Sequence, residues 1–94
     1  MRISQEDLNL MIMQVDPEGL IAHGAPSDEY TMESRVFVKA LSALSEGEIT
    51  KENILLLLSE IWKESFRLDD DALQMRLPSL LTIVDSIMNR HSIS

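Results

Sequence analysis

The chain contains no cysteine. That absence excludes disulfides, thiol catalysis and cysteine-ligated metals together, and it fits a reducing compartment. Aromatic residues are scarce: one tryptophan, one tyrosine and two phenylalanines. A core must therefore be built mainly from leucine, isoleucine and methionine. Only two histidines are present, His23 and His91. No nucleophile-elbow motif surrounds any serine, so a Ser–His–Asp arrangement has no framework to sit on. Long apolar runs are missing as well. The longest is Ile54 to Leu58, far below the roughly 18 residues of a spanning helix. The N-terminal MRISQEDLNL lacks a basic segment followed by a long apolar one, so a secretory signal is not expected. A soluble cytoplasmic protein without a cofactor is expected from these absences.

What is present is enough for one domain over residues 1–94, since 45% of the side chains are hydrophobic. Sixteen acidic residues stand against eight basic ones, a formal charge of −8. Such a chain is repelled by phosphate backbones, which argues against direct nucleic-acid binding. The same acidity suits a basic protein partner, and it also serves plain solubility.

Hydrophobic residues recur with a period of 3.6, and strand-like alternation is almost absent, so an all-α protein is expected. Ser4 with Asp7 three residues on has the spacing of a helix start. Leu8, Met11, Ile12 and Val15 then share a face until Pro17 stops the helix. Asp16-Pro17-Glu18 can start a further short helical turn carrying Leu20 and Ile21 inward. Gly24 suits its left-handed end, with Pro26 beyond. Ser27, Asp28 and Thr31 are candidate caps for a second helix beginning between Tyr30 and Met32. Val36, Phe37, Ala40, Leu41 and Leu44 form its stripe.

A turn at Ser45-Glu46-Gly47-Glu48 leads to a third helix capped by Thr50 and running to about Phe66. Its apolar positions are Ile54, Leu55, Leu57, Leu58, Ile61, Trp62 and Phe66. Leu56 adds to them, which predicts a helix buried on more than one side at the centre of the fold. Asp69, Asp70 and Asp71 precede a last helix. There Leu73, Leu77, Leu80, Leu81, Val84, Ile87 and Met88 keep one phase across Pro78. Pro78 either splits this segment or kinks a continuous helix, and the unbroken phase favours the continuous one. The tail His91 to Ser94 is expected to fray. The sum is a compact antiparallel bundle of four main helices plus the short turn after Pro17.

Candidate chemistry is thin. Asp16, Glu18, Asp28 and Glu29 can be imagined around His23, but their spacing matches no calcium loop and no helical histidine pair exists for zinc. Capping and solvation explain these residues, and no metal site is expected. The Asp69–Asp71 run gains from the positive end of a helix, and it is also a candidate docking patch. Methionines are expected to fill gaps in the core. Tyr30, beside two acids at a helix entry, is expected to bury its ring and hold the corner to the bundle through its hydroxyl.

The corner carries a family resemblance. Asp16-Pro17, Gly24, Pro26 and Asp28-Glu29-Tyr30 followed by Glu33 resemble a pattern in small bacterial proteins catalogued as domain of unknown function number 1871. The aliphatic-rich third helix ending Lys63-Glu64-Ser65-Phe66 is similar to that family too. Together these pieces cover about residues 8 to 68. The resemblance implies a small helical bundle and carries over no catalytic residue. Proteins of this size and pattern also look like members of bacterial toxin-immunity systems, in which a small acidic protein blocks a cognate toxin.

The expected function is accordingly non-enzymatic: direct binding of a basic toxin domain, such as a nuclease, through exposed acids. Glu18, Asp28, Glu29, Asp69, Asp70 and Asp71 are the candidate contact residues, with Asp16, Pro17, Tyr30, Trp62 and Phe66 as structural supports. A homodimeric interaction module is the second expectation. An enzyme using the corner acids with His23 is the third, and it requires a pocket holding two carboxylates and the imidazole.

Overall fold

The first, third and last α-helices start where short oxygen-bearing side chains accept orphan N–H groups. The computed structural model describes residues 3–24 and 30–93, with side chains through His91. Ser4 Oγ accepts from the Asp7 N–H at 3.1 Å and opens α1, Gln5–Val15. Helix α2 spans Thr31–Ser42 and begins at Tyr30, whose side chain makes no cap bond. The expected caps Ser27 and Asp28 lie outside the described residues, as do Pro26 and Glu29, while Thr31 is the first helical residue. A single 3-10 turn, Glu46–Glu48, is closed by a capping box between Ser45 and Glu48. Thr50 Oγ1 accepts from the Asn53 N–H at 3.2 Å and opens α3, Lys51–Ser65. Helix α4 runs as one element over Asp70–Ile93, straight through Pro78. Its helical backbone thus includes His91 to Ile93 of the expected tail, and Ser94 lies outside the described residues. Among the described residues there is no strand.

The four helices form a closed ring of neighbours: α1 on α2, α2 on α3, α3 on α4, and α4 back on α1. Cross-contacts set the directions. Asp7 meets Arg90 while Glu18, just past the other end of α1, meets Arg76, so α1 and α4 run antiparallel. Lys51–Asp85 and Lys63–Asp70 give the same result for α3 and α4. Asn9–Ser34 and Asp16–Tyr30 give it for α1 and α2. This is the expected all-helical bundle. Its radius of gyration is 12.6 Å, close to the roughly 12 Å of one compact unit of this length.

Every helix sends side chains to one core. Leu8 and Ile12 come from α1, and Phe37 and Leu41 from α2. Helix α3 gives Ile54, Leu58 and Trp62, and α4 gives Leu80, Ile83, Val84 and Ile87. Tyr30 completes the core from the mouth of α2. Helix α3 is thus one wall of the ring and not its centre. Its buried residues are Ile54, Leu58, Ser59 and Trp62, and Leu56 is 59% exposed. The apolar run misled because a helix in a four-membered ring needs only one buried sector. Val36 likewise faces outward and not inward with Phe37. Met11, Met13 and Met88 pack against the core as gap-fillers, but Met32 and Met75 are among the most exposed large hydrophobics.

Candidate functional site

The segment after α1 becomes ordered around one carboxylate. Asp16 sits at the C-cap of α1 with φ 51, in the left-handed region that Asp tolerates better than most residues. Its own N–H still bonds Ile12 O at 2.8 Å. The inverted backbone turns the side chain back over the following chain. There Oδ1 accepts from the Ile21 N–H at 3.1 Å and Oδ2 from the Ala22 N–H at 2.9 Å. Gly19 N–H bonds Asp16 O, His23 N–H bonds Gly19 O, and Gly24 N–H bonds Ile21 O. The short helical turn expected after Pro17 therefore takes the form of successive hydrogen-bonded turns. Gly19 and Gly24, with φ of 70 and 91, supply the left-handed backbone they need.

Tyr30 fastens this corner to the bundle. Its hydroxyl donates to Asp16 Oδ1 at 2.6 Å and accepts from the Glu18 N–H at 3.2 Å. The ring is fully buried, stacked on Trp62 with centroids 5.7 Å apart and edge-on to Phe66 at 6.4 Å. Burial, then the hydrogen bond to Asp16, pushes the Tyr30 hydroxyl well above its ordinary pKa. For Asp16, burial pulls upward, but the Tyr30 hydroxyl and the backbone N–H groups of Ala22, Ile21 and Leu20 outweigh it, and the carboxyl is held below its ordinary value.

Glu18 corrects an expectation. It is not an exposed acid: its side chain is 11% exposed, against 29% for its partner Arg76. Glu18 Oε2 accepts from Trp62 Nε1 at 2.8 Å and from Arg76 Nε at 2.7 Å. A buried indole N–H requires a partner, and Pro17 delivers Glu18 to the place where α3 and α4 present both donors. One carboxylate therefore ties the corner to two helices, and the ion pair holds Arg76 more firmly protonated. Asp16, Tyr30, Glu18, Trp62 and Arg76 form one satisfied network across the bundle end.

Among the described residues of the corner, Asp16, Glu18 and His23 do not converge on a common point. Its two carboxylates are occupied by internal donors, and the exposed His23 lies against Gly19. Among the described residues no three His, Asp or Glu groups converge as a metal site. An open depression of about 550 Å³ beside the start of α1 is lined by Ser4, Gln5, Glu6, Asn9 and Thr31. Glu33, buried near the start of α2, has an Oε2 with no hydrogen-bond partner.

Of the other expected contact residues, Asp69, Asp70 and Asp71 stay exposed where α4 begins. Asp69 Oδ1 accepts from the Ala72 N–H at 2.8 Å, which makes it the cap of α4. Asp70 pairs with Lys63 at 2.8 Å, which lowers the carboxyl pKa and raises that of the amine. Asp28 and Glu29 lie outside the described residues.

A different acidic surface emerges on α3. Glu52, Leu56, Glu60 and Glu64 follow one another at four-residue steps, and all four are exposed. The row was visible as an i, i+4 series, but the surrounding leucines drew the whole helix inward in the reading of the sequence. No helix is long and apolar enough to cross a membrane among the described residues. The chain matches no protein-family model, no curated protein and no solved structure.

Proposed function

We propose that this chain is a small acidic binding protein, most concretely a cytoplasmic immunity protein that neutralises a basic bacterial toxin domain by direct contact. The observation that carries this reading is the placement of the charge. Acids far outnumber bases, and several of those that no cation pairs with among the described residues are exposed. Glu18 and Asp16 serve the corner, and Asp7, Asp70 and Asp85 answer Arg90, Lys63 and Lys51. Glu46, Glu48, Glu52, Glu60, Glu64 and Asp71 project into solvent without a cation partner among the described residues. Such a surface accelerates encounter with a basic protein and repels nucleic acid, so it suits a lid over the cleft of a nuclease.

The test is co-expression and co-purification with the product of the adjacent upstream gene. A stoichiometric complex and loss of that product's toxicity are expected. Absence of both rejects the proposal.

A second reading has its own observation. Met32 and Val36 stand one turn apart on α2, 69% and 47% exposed. A regulatory or housekeeping module that dimerises through this face would cover them. Sedimentation of the free protein separates the readings: a monomer at high concentration removes the second.

A further inference from the structure

We infer that the outer face of α3 is the surface that docks the basic partner, with Leu56 as its apolar anchor. This rests on the binding function proposed above and names the site for it.

Leu56 is 59% exposed in the middle of the helix. Glu52 and Glu60 stand one turn to either side of it, and Glu64 one turn beyond. An exposed apolar side chain between charged ones matches the apolar centre and polar rim of a protein contact. Helix α3 also has two lysines, and both turn toward α4. Lys51 goes to Asp85 at 2.9 Å and Lys63 to Asp70 at 2.8 Å. No cation among the described residues pairs with Glu52, Glu60 or Glu64. Glu60 and Glu64 are a like-charge pair at i, i+4, a spacing that works against the helix.

Charge decides the occupant. A second copy laid on this face would set glutamate against glutamate, and a nucleic acid would add phosphates to the same repulsion. Lysines and arginines around an apolar contact would relieve the repulsion and cover Leu56 in one step. The Asp69–Asp71 group is less suited, because Asp69 is occupied as a cap and Asp70 by Lys63.

The test is a titration of the isotope-labelled full chain with a synthetic helical peptide bearing a leucine stripe flanked by lysines, followed by amide NMR shifts. A control peptide keeps the lysines and replaces the leucines by alanine. Shifts centred on residues 52–64 are expected with the first peptide. Leu56→Ala and the double variant Glu60→Lys/Glu64→Lys should each weaken it about tenfold, with circular dichroism unchanged. Asp69→Asn/Asp71→Asn should change it by less than about twofold. The control peptide should bind wild type and Leu56→Ala equally weakly. Unchanged affinity in Leu56→Ala overturns the inference, as do shifts centred on α2 or on the start of α4. A concentration-dependent dimer dissolved by Leu56→Ala overturns it too, by making a second copy the occupant. The upstream gene product separates the two levels. If it binds wild type and every α3 variant equally, the surface is wrong and the function stands. If it binds none while the peptide maps to α3, the surface stands and the function is wrong.

Discussion

Tyr30 and Asp16, fourteen residues apart, are joined by a 2.6 Å hydrogen bond from the phenol to the carboxylate. That bond couples the end of α1 to the start of α2, and the same hydroxyl receives the N–H of Glu18. Replacing Tyr30 by Phe keeps the aromatic packing and removes both bonds. Asp16 loses its one side-chain donor and the Glu18 N–H loses its acceptor. A loss of about 1–3 kcal/mol is expected. Tyr30→Ala also removes the ring stacked on Trp62 and should cost about 3–5 kcal/mol. Urea unfolding followed by Trp62 fluorescence reads both. Equal losses for Phe and Ala would show that the hydroxyl, and not the ring, holds the corner.

The corner also predicts an acid dependence. The Asp16 carboxyl is held below its ordinary pKa by the Tyr30 hydroxyl and three backbone N–H groups, which together overcome burial. A folded-state value below the unfolded one stabilises the fold above the unfolded pKa, and that contribution disappears as pH falls through the folded value. Unfolding midpoints measured from pH 7 down to pH 2.5 should therefore decline less in Asp16→Asn than in wild type. The variant starts lower at neutral pH, because an amide satisfies fewer of these donors. Parallel curves would show that Asp16 does not contribute to acid sensitivity.

Much of the fold was legible because local rules dominate a helical hairpin. Ser4 and Thr50 cap as their spacing indicates, Pro17 ends α1, and the phase of Leu73 through Ile87 carries α4 across Pro78. Tyr30 could be read as an anchor from its neighbours alone. The partners of Glu18 on α3 and α4 could not, because Trp62 and Arg76 lie 44 and 58 residues from it and no local pattern pairs them. For the same reason Glu18 read as a surface acid. Leu56 read as core because five consecutive apolar residues exceed what one buried sector can take, and periodicity does not say which of them is left out.

Arg67 marks a place where the chain departs from the residue its backbone favours. It follows Phe66, the C-cap of α3, with φ 52, and Leu68 N–H bonds Lys63 O at 3.0 Å. This is the closure that glycine usually supplies. The Arg67 side chain is exposed and enters no ion pair among the described residues. Arg67→Gly is therefore expected to stabilise the protein by up to about 1 kcal/mol, reduced by the larger backbone entropy of glycine when unfolded. A lower melting temperature in the variant would show that the arginine makes a compensating contact.

Pro78 is the other local departure, and its removal tests whether the continuity of α4 depends on packing. The residue is exposed within the helix, and it offers no N–H to the carbonyl four residues before it. The helix nevertheless continues, because Leu80, Ile83, Val84 and Ile87 beyond the proline are held in the core. Nearby, Thr82 Oγ1 donates to Pro78 O at 3.0 Å. In Pro78→Ala the missing bond is restored and the ring's clash with the preceding turn is removed, worth up to about 3 kcal/mol in a helix interior. The unfolded chain also gains freedom, which offsets about 0.4–1 kcal/mol. A net stabilisation of about 1–2 kcal/mol is expected, read as a higher urea midpoint with unchanged slope. A destabilised variant would mean that α4 follows a path set by the proline itself, one to which the core residues beyond it have been fitted.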